Sequence, residues 1–104
     1  MKYDKMVVKK SDKPKKKYVA VFTDSSSGRT KSTYFGDSSA TDYLLSKEKD
    51  RRERYIQRHK KDLKTKDPTR AGYLSLYLLW SYGNENSTSL RTNISSCKSR
   101  FGFK

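Results

Sequence analysis

Three kinds of apolar pattern divide this 104-residue chain. Between Lys47 and Leu63, the residues Tyr55, Ile56, His59 and Leu63 recur at i, i+1, i+4 and i+8, one stripe of a helix whose other faces carry Lys, Arg and Glu. That spacing predicts a half-solvated helix over about 47–63, with Ser46 placed as its N-cap. Between Ala71 and Trp80 nearly every position is apolar or aromatic, which predicts a helix buried on all sides. Asp67 and Pro68 supply a cap and a first-turn proline, so this second helix is expected over 68–81. Leu90, Ile94, Cys97 and Phe101, at i, i+4, i+7 and i+11, form the stripe of a third helix over about 88–99. Upstream, the runs YVAVFT (18–23) and TKSTYF (30–35) flank the turn-forming DSSSGR and predict a β-hairpin over 18–35.

A lone hairpin is marginal in water, so one face of it is expected on the buried helix. Residues 1–17 offer only Met6, Val7 and Val8 to bury and are expected to be an extended arm, disordered by itself. The predicted fold class is therefore α+β: one domain over 18–104, a hairpin packed on a three-helix unit, preceded by a basic arm. A core of this size predicts stability near the low end of roughly 5 to 15 kcal/mol.

Charge changes the picture more than composition does. The net charge of +14 is concentrated in two blocks: residues 1–17 hold eight lysines against two aspartates, and residues 47–66 hold ten basic against four acidic residues. Such asymmetry favours polyanions or acidic protein surfaces as partners. Cys97 is the single cysteine, which excludes an internal disulfide and a multi-cysteine metal site. No apolar run is long enough to span a bilayer and the N-terminal residues do not read as a secretory signal, so a cytosolic protein at synthesis is expected.

Candidate catalytic groups are few. His59 lies beside an apolar stripe and reads as a structural or interface histidine; Cys97 reads as a buried packing residue. Glu48, Asp50, Glu53 and Asp62 sit among Lys and Arg at helical spacing and read as surface ion-pair partners. No catalytic residue, cofactor, metal or small-molecule substrate is expected, and the protein is read as a non-enzyme. The candidate partner-binding residues are Lys9, Lys10, Lys13, Lys15, Lys16 and Lys17 of the arm and Arg51, Arg52, Arg54, Arg58, Lys60 and Lys61 of the first long helix. The helical set fits phosphate neutralisation and equally fits a solvated charged face. Tyr73, Tyr77, Trp80 and Tyr82 fit a base-stacking platform less well than a core, because the helix that carries three of them has no polar face.

The ordered segments FG (35–36), DY (42–43), RRERYIQRHK (51–60), DPTRAGYLSLYLLW (67–80) and RFG (100–102) resemble a small basic domain family of the giant nucleocytoplasmic large DNA viruses. The resemblance spans about residues 17–102, and its most specific parts are RYIQRHK and AGYLSLYLLW. It implies a virion, with the host cytoplasm or virus factory as the place of assembly. In that setting the expected function is a minor capsid or cementing component that binds acidic surfaces of capsid shell proteins. The alternative is a nucleic-acid-binding protein that condenses viral DNA.

Overall fold

The computed structural model describes residues 3–104, and the architecture is α+β. Strands β1 (Lys5–Lys10), β2 (Lys16–Thr23) and β3 (Thr30–Asp37) form one antiparallel sheet in the order β1-β2-β3. Four helical segments follow. α1 (Tyr43–Ser46) is one turn; α2 (Lys49–His59) runs on as a 3-10 turn over Lys60–Thr65; α3 (Ala71–Leu74) continues as a π-helical turn over Ser75–Leu79; α4 is Leu90–Phe101. The hairpin and three longer helices appear where the apolar spacing predicts them.

The arm is the main correction. Residues 5–10 pair with β2 along their whole length, Met6 opposite Phe22 and Val8 opposite Ala20. Met6 is fully buried and belongs to the core cluster, with Tyr3 and Val8 packed against it. The sheet face toward the helices had an uncovered strip beside Ala20 and Phe22, and two apolar side chains at alternate positions are enough to fill it once β2 supplies hydrogen bonds. The C-terminus closes the outer edge: Met6 N–H donates to the Lys104 carbonyl at 3.0 Å, Lys104 N–H donates to the Asp4 carbonyl at 2.8 Å, and the buried Phe103 ring lies 5.3 Å from Phe22. Met1 and Lys2 of the expected arm lie outside the described residues.

The core lies between the inner sheet face (Met6, Ala20, Phe22, Phe35) and Leu74, Leu78, Leu79 and Trp80 of the central helix, with Cys97 of α4 closing the far side. Leu79 approaches the sheet so closely that a Cβ at Gly36 would lie 2.9 Å from its Cδ1, and Gly36 has φ +80, so the strand needs glycine there. The central helix begins at Ala71, three residues later than the Asp67-Pro68 signal suggests. Asp67 Oδ1 instead accepts from Thr69 N–H at 3.0 Å and Thr69 Oγ1 at 2.6 Å, and the Thr69 carbonyl accepts from Thr33 Oγ1 on β3. This Asx turn, closed by Arg70 N–H on the Asp67 carbonyl at 3.2 Å, pins residues 67–70 to the sheet as a turn before the chain winds into the helix. Ser46 likewise does not cap α2; Asp42 caps α1 by accepting from Leu45 N–H, and Lys47 at φ 57 separates the two helices.

Candidate binding surface

The lysines expected on a free arm sit on a shaped turn. Between β1 and β2, Ser11 N–H donates to the Lys17 carbonyl, Lys16 N–H to the Lys13 carbonyl, and Ser38 N–H, from the end of β3, to the Lys15 carbonyl. Tyr34 donates its hydroxyl to Asp12 Oδ1 at 2.7 Å, and Lys13 Nζ stands 4.1 Å from the Tyr34 ring centroid. Lys9, Lys10, Lys13, Lys15 and Lys16 are all exposed. A turn held in this way has little entropy left to lose on binding.

Lys17 is a correction. Its Nζ is 2.5 Å from Asp42 Oδ2 and both side chains are largely covered, so it is an internal tie and no partner contact. The tie has a consequence for the surface: Asp42 is the cap of α1, which leads directly into α2, so the lysine turn and the Arg-rich helix are fastened to one another.

On α2, Arg51, Arg54, Arg58, Lys60 and Lys61 are exposed as expected. Arg52 is the second correction. It is 5% exposed; Nε donates to the Trp80 carbonyl and Nη2 to the Ser81 carbonyl, each at 2.9 Å, and Nη1 contacts Glu53 Oε1 at 3.0 Å. The planar guanidinium satisfies the Trp80 carbonyl that the end of the central helix leaves orphaned and gives the Ser81 carbonyl a second donor beside Asn84 N–H. Its position betrays this role in the sequence, since 52, 56, 59 and 63 follow the same helical stripe as the apolar residues. Arg51 differs from Arg52 by about 100° around the helix, and that angle decides between surface and core.

The remaining candidates take part in aromatic and core packing. Tyr55 is sandwiched between His59 and Trp80, with both ring centroids 4.1 Å away, and His59 Nδ1 is 3.8 Å from Asp62 Oδ2. Burial pushes the Cys97 thiol up to about 11, which keeps it protonated and unreactive at neutral pH. Burial, helped by the neighbouring Tyr73, pushes the Tyr77 phenol up to about 12. Tyr73 and Trp80 are core residues, whereas Tyr77 and Tyr82 are half-buried. Among the described residues no cluster of His, Cys, Asp or Glu could hold a metal ion, and no helix is long and apolar enough to cross a membrane. A cavity of about 1020 Å³ opens beside the β2–β3 turn. Arg29, Lys31 and Lys66 line it together with Asp24 and Asp67, so its charges are mixed.

A small basic α+β domain is the class these features define. The chain belongs to a family of unknown function, DUF5754, which it matches over residues 6–59. The matched stretch runs from the first buried residue of β1 to the last residue of α2, and so includes the sheet, the lysine turn and the Arg-rich helix. No curated protein and no solved structure matches the chain.

Proposed function

We propose that this protein is a small non-enzymatic structural component of the virion of a large DNA virus, a minor capsid or cementing protein whose basic surface grips acidic surfaces of shell proteins. The observation that carries this reading is the sign pattern on the exposed face of α2. Arg51, Arg54 and Arg58 are interspersed with Asp50, Glu53 and Glu48, the last 3.5 Å from Arg51. A duplex presents phosphates uniformly and would be repelled by those carboxylates, while a protein surface can meet each sign with its opposite and gain register from doing so. The viral setting is supported by the resemblance carried by RYIQRHK and AGYLSLYLLW. The lysine turn, where Asp12 is the only acid among Lys13, Lys15 and Lys16, favours a second reading as a protein that condenses viral DNA.

Fractionation and salt separate the two. A cementing protein remains with empty, nuclease-treated shells at a fixed ratio to the major capsid protein, and R51E/R54E/R58E removes it from them. A DNA condenser neutralising about six phosphates loses affinity for any duplex with a log-log salt slope near −5 and leaves with the DNA. Recovery in the DNA fraction, in amounts that follow genome length, overturns the shell reading.

A further inference from the structure

The two edges of the sheet are finished differently. On β1 the C-terminus takes up outward main-chain groups, Met6 N–H donating to the Lys104 carbonyl and Lys104 N–H to the Asp4 carbonyl. β3 is the other edge, and among the described residues no strand lies beyond it. In an antiparallel ladder successive residues point their N–H and C=O alternately toward the partner strand and away from it. The Asp24 N–H bond to the Arg29 carbonyl sets the phase, so Lys31, Thr33 and Phe35 face β2 while Thr30, Ser32 and Tyr34 face outward. Among the described residues the outward main-chain groups of Ser32 and Tyr34 have no hydrogen-bond partner. No residue from Thr30 to Tyr34 is buried, and Ser32 is exposed. Open edges invite a further strand, and proteins usually blunt them with lysine, proline or a bulge. The lysine in this run does not guard it, because Lys31 Nζ is turned onto Thr69 Oγ1 at 2.9 Å. The straight stretch ends only at Gly36, where φ reaches +80.

A cleft of about 340 Å³ lies between this edge strand and the segment leading into the central helix. Lys31 and Thr33 form its sheet wall, and Asp62, Thr65, Arg70 and Tyr73 stand across it. Residues 29–34 carry two basic side chains and no acid, and the facing segment 60–73 carries five basic against two acidic. Both acids are engaged by their own chain. Asp67 Oδ1 accepts from Thr69 N–H and Oγ1, and Asp62 sits so close to the start of α3 that a Cβ on Gly72 would lie 2.7 Å from its Oδ2. Lys64 and Lys66 are exposed, and the Arg70 side chain, with Nε 3.7 Å from Asp67 Oδ2, keeps 65% of its surface open.

An occupant of this place must offer main-chain donors and acceptors repeating about every 7 Å along one side, and negative charge toward the cleft. An extended polypeptide does both. A phosphate backbone offers acceptors only, and a second copy of this chain would bring the same positive walls together. We propose that an extended acidic segment of a partner protein adds to β3 as a fourth strand, pairing with the main chain of Ser32 and Tyr34 and turning every second side chain, a carboxylate, into the basic cleft. The proposal rests on the acidic-protein reading above and names the element of this chain on which the partner segment lies. The strand period sets the sequence it recognises: acidic residues two apart, separated by residues suited to a strand.

The test is amide hydrogen exchange and ¹⁵N-¹H titration of the full chain with N-acetyl-Thr-Glu-Val-Glu-Val-Thr-amide. Its controls are the Gln counterpart, two versions N-methylated at both Glu or at both Val, and the oligonucleotide dT₆. In the free chain the Ser32 and Tyr34 amides should exchange at close to the unprotected rate, and saturating peptide should slow both at least about tenfold. The Gln peptide should bind at least about tenfold more weakly. One of the two N-methylated peptides should lose binding while the other stays within about threefold of the parent, because only alternate residues of an added strand face β3. Ser32→Pro removes an outward N–H and no bond to β2, and should abolish the response. If that variant unfolds, the N-methylated pair decides the same point on the parent chain. Lys64→Gln, Lys66→Gln and Arg70→Gln together, all at exposed positions, should weaken binding at least about tenfold. Protection of both amides without peptide, equal binding of the two N-methylated peptides, equal binding of the Gln peptide, or protection by dT₆ overturns the proposal. If the peptides do nothing while R51E/R54E/R58E still loses shells, the edge assignment falls and the proposed function stands. If that triple variant binds shells like the parent while the acidic peptide saturates β3, the proposed function falls and the edge assignment stands.

Discussion

Removing the side chain of Met6 tests whether the N-terminal residues belong to the fold. Met6 is fully enclosed by the core cluster, lies opposite Phe22 in the ladder, and lends its N–H to the Lys104 carbonyl. Met6→Ala deletes three heavy atoms from a closed site, so it forfeits their transfer free energy and leaves a cavity; buried Met→Ala changes cost about 2–5 kcal/mol, and about 3 is expected here. In a domain of this size each kcal/mol moves Tm by roughly 4–8 °C, so the variant should melt roughly 12–24 °C below the parent. Val7 points to the other face of the same strand and is 45% exposed, so Val7→Ala should stay within about 1 kcal/mol and serves as the control for strand propensity. Deleting residues 1–10 removes Met6, Val8, the whole β1–β2 ladder and the tether to the C-terminus, and the shortened chain should not fold. Circular dichroism melts and urea titrations followed through Trp80 emission read all three, because Trp80 is stacked on Tyr55 in the native state and is released on unfolding. A Met6→Ala protein melting within about 3 °C of the parent, or a cooperative transition in the 11–104 chain, would refute the assignment of β1 to the core.

Other changes give sharper contrasts. Arg52→Ala should cost about 2 kcal/mol by orphaning the buried Trp80 carbonyl and taking one of the two donors from the Ser81 carbonyl, while Arg51→Ala, about 100° around the helix, should stay within about 0.5 kcal/mol; equal urea midpoints for the pair would contradict the buried assignment. Trp80→Ala should cost on the order of 3–5 kcal/mol and leave a marginal fold; a loss under about 1 kcal/mol in denaturant melts would place the central helix outside the core. Gly36→Ala combines a φ of +80 with a 2.9 Å contact to Leu79 and should cost roughly 1–3 kcal/mol, checked by the same melts. Burial holds the Cys97 thiol at about 11 and the Tyr77 phenol at about 12, against ordinary values of 9.0 and 10.0. The unfolded chain therefore releases these protons first, so stability is full below about pH 9 and declines as pH rises from 9 toward 12. A urea midpoint that holds constant from pH 8.5 to 11 would remove both groups from the list of buried acids.

The helices and the hairpin were legible because each carries its own periodicity: four residues from Leu90 to Phe101 already define a face, and β-branched runs around DSSSGR already define a turn. Charge was legible too, as a surface property that needs no partner within the chain. What the sequence could not assign was whatever depends on a second element. KMVVKK reads as a solvated arm until β2 offers its hydrogen bonds and Phe103 its ring, because three apolar residues cannot carry a strand alone but can complete a sheet. Asp67-Pro68-Thr69 carries the chemistry of a helix start, and hydrogen bonds from Thr33 and Lys31 to Thr69 turn it into a fastening on β3. Arg51 and Arg52, and Lys16 and Lys17, are the same residues chemically; packing alone sends one of each pair to solvent and the other to the Trp80 carbonyl or the Asp42 carboxylate. The Asn93 amide is farthest from the sequence of all, since its two hydrogens go to two other elements, the Leu78 carbonyl at the end of the central helix and Ser81 Oγ in the loop after it. Local pattern determines which faces a segment offers; the tertiary contacts decide which of those faces still have something left to bind.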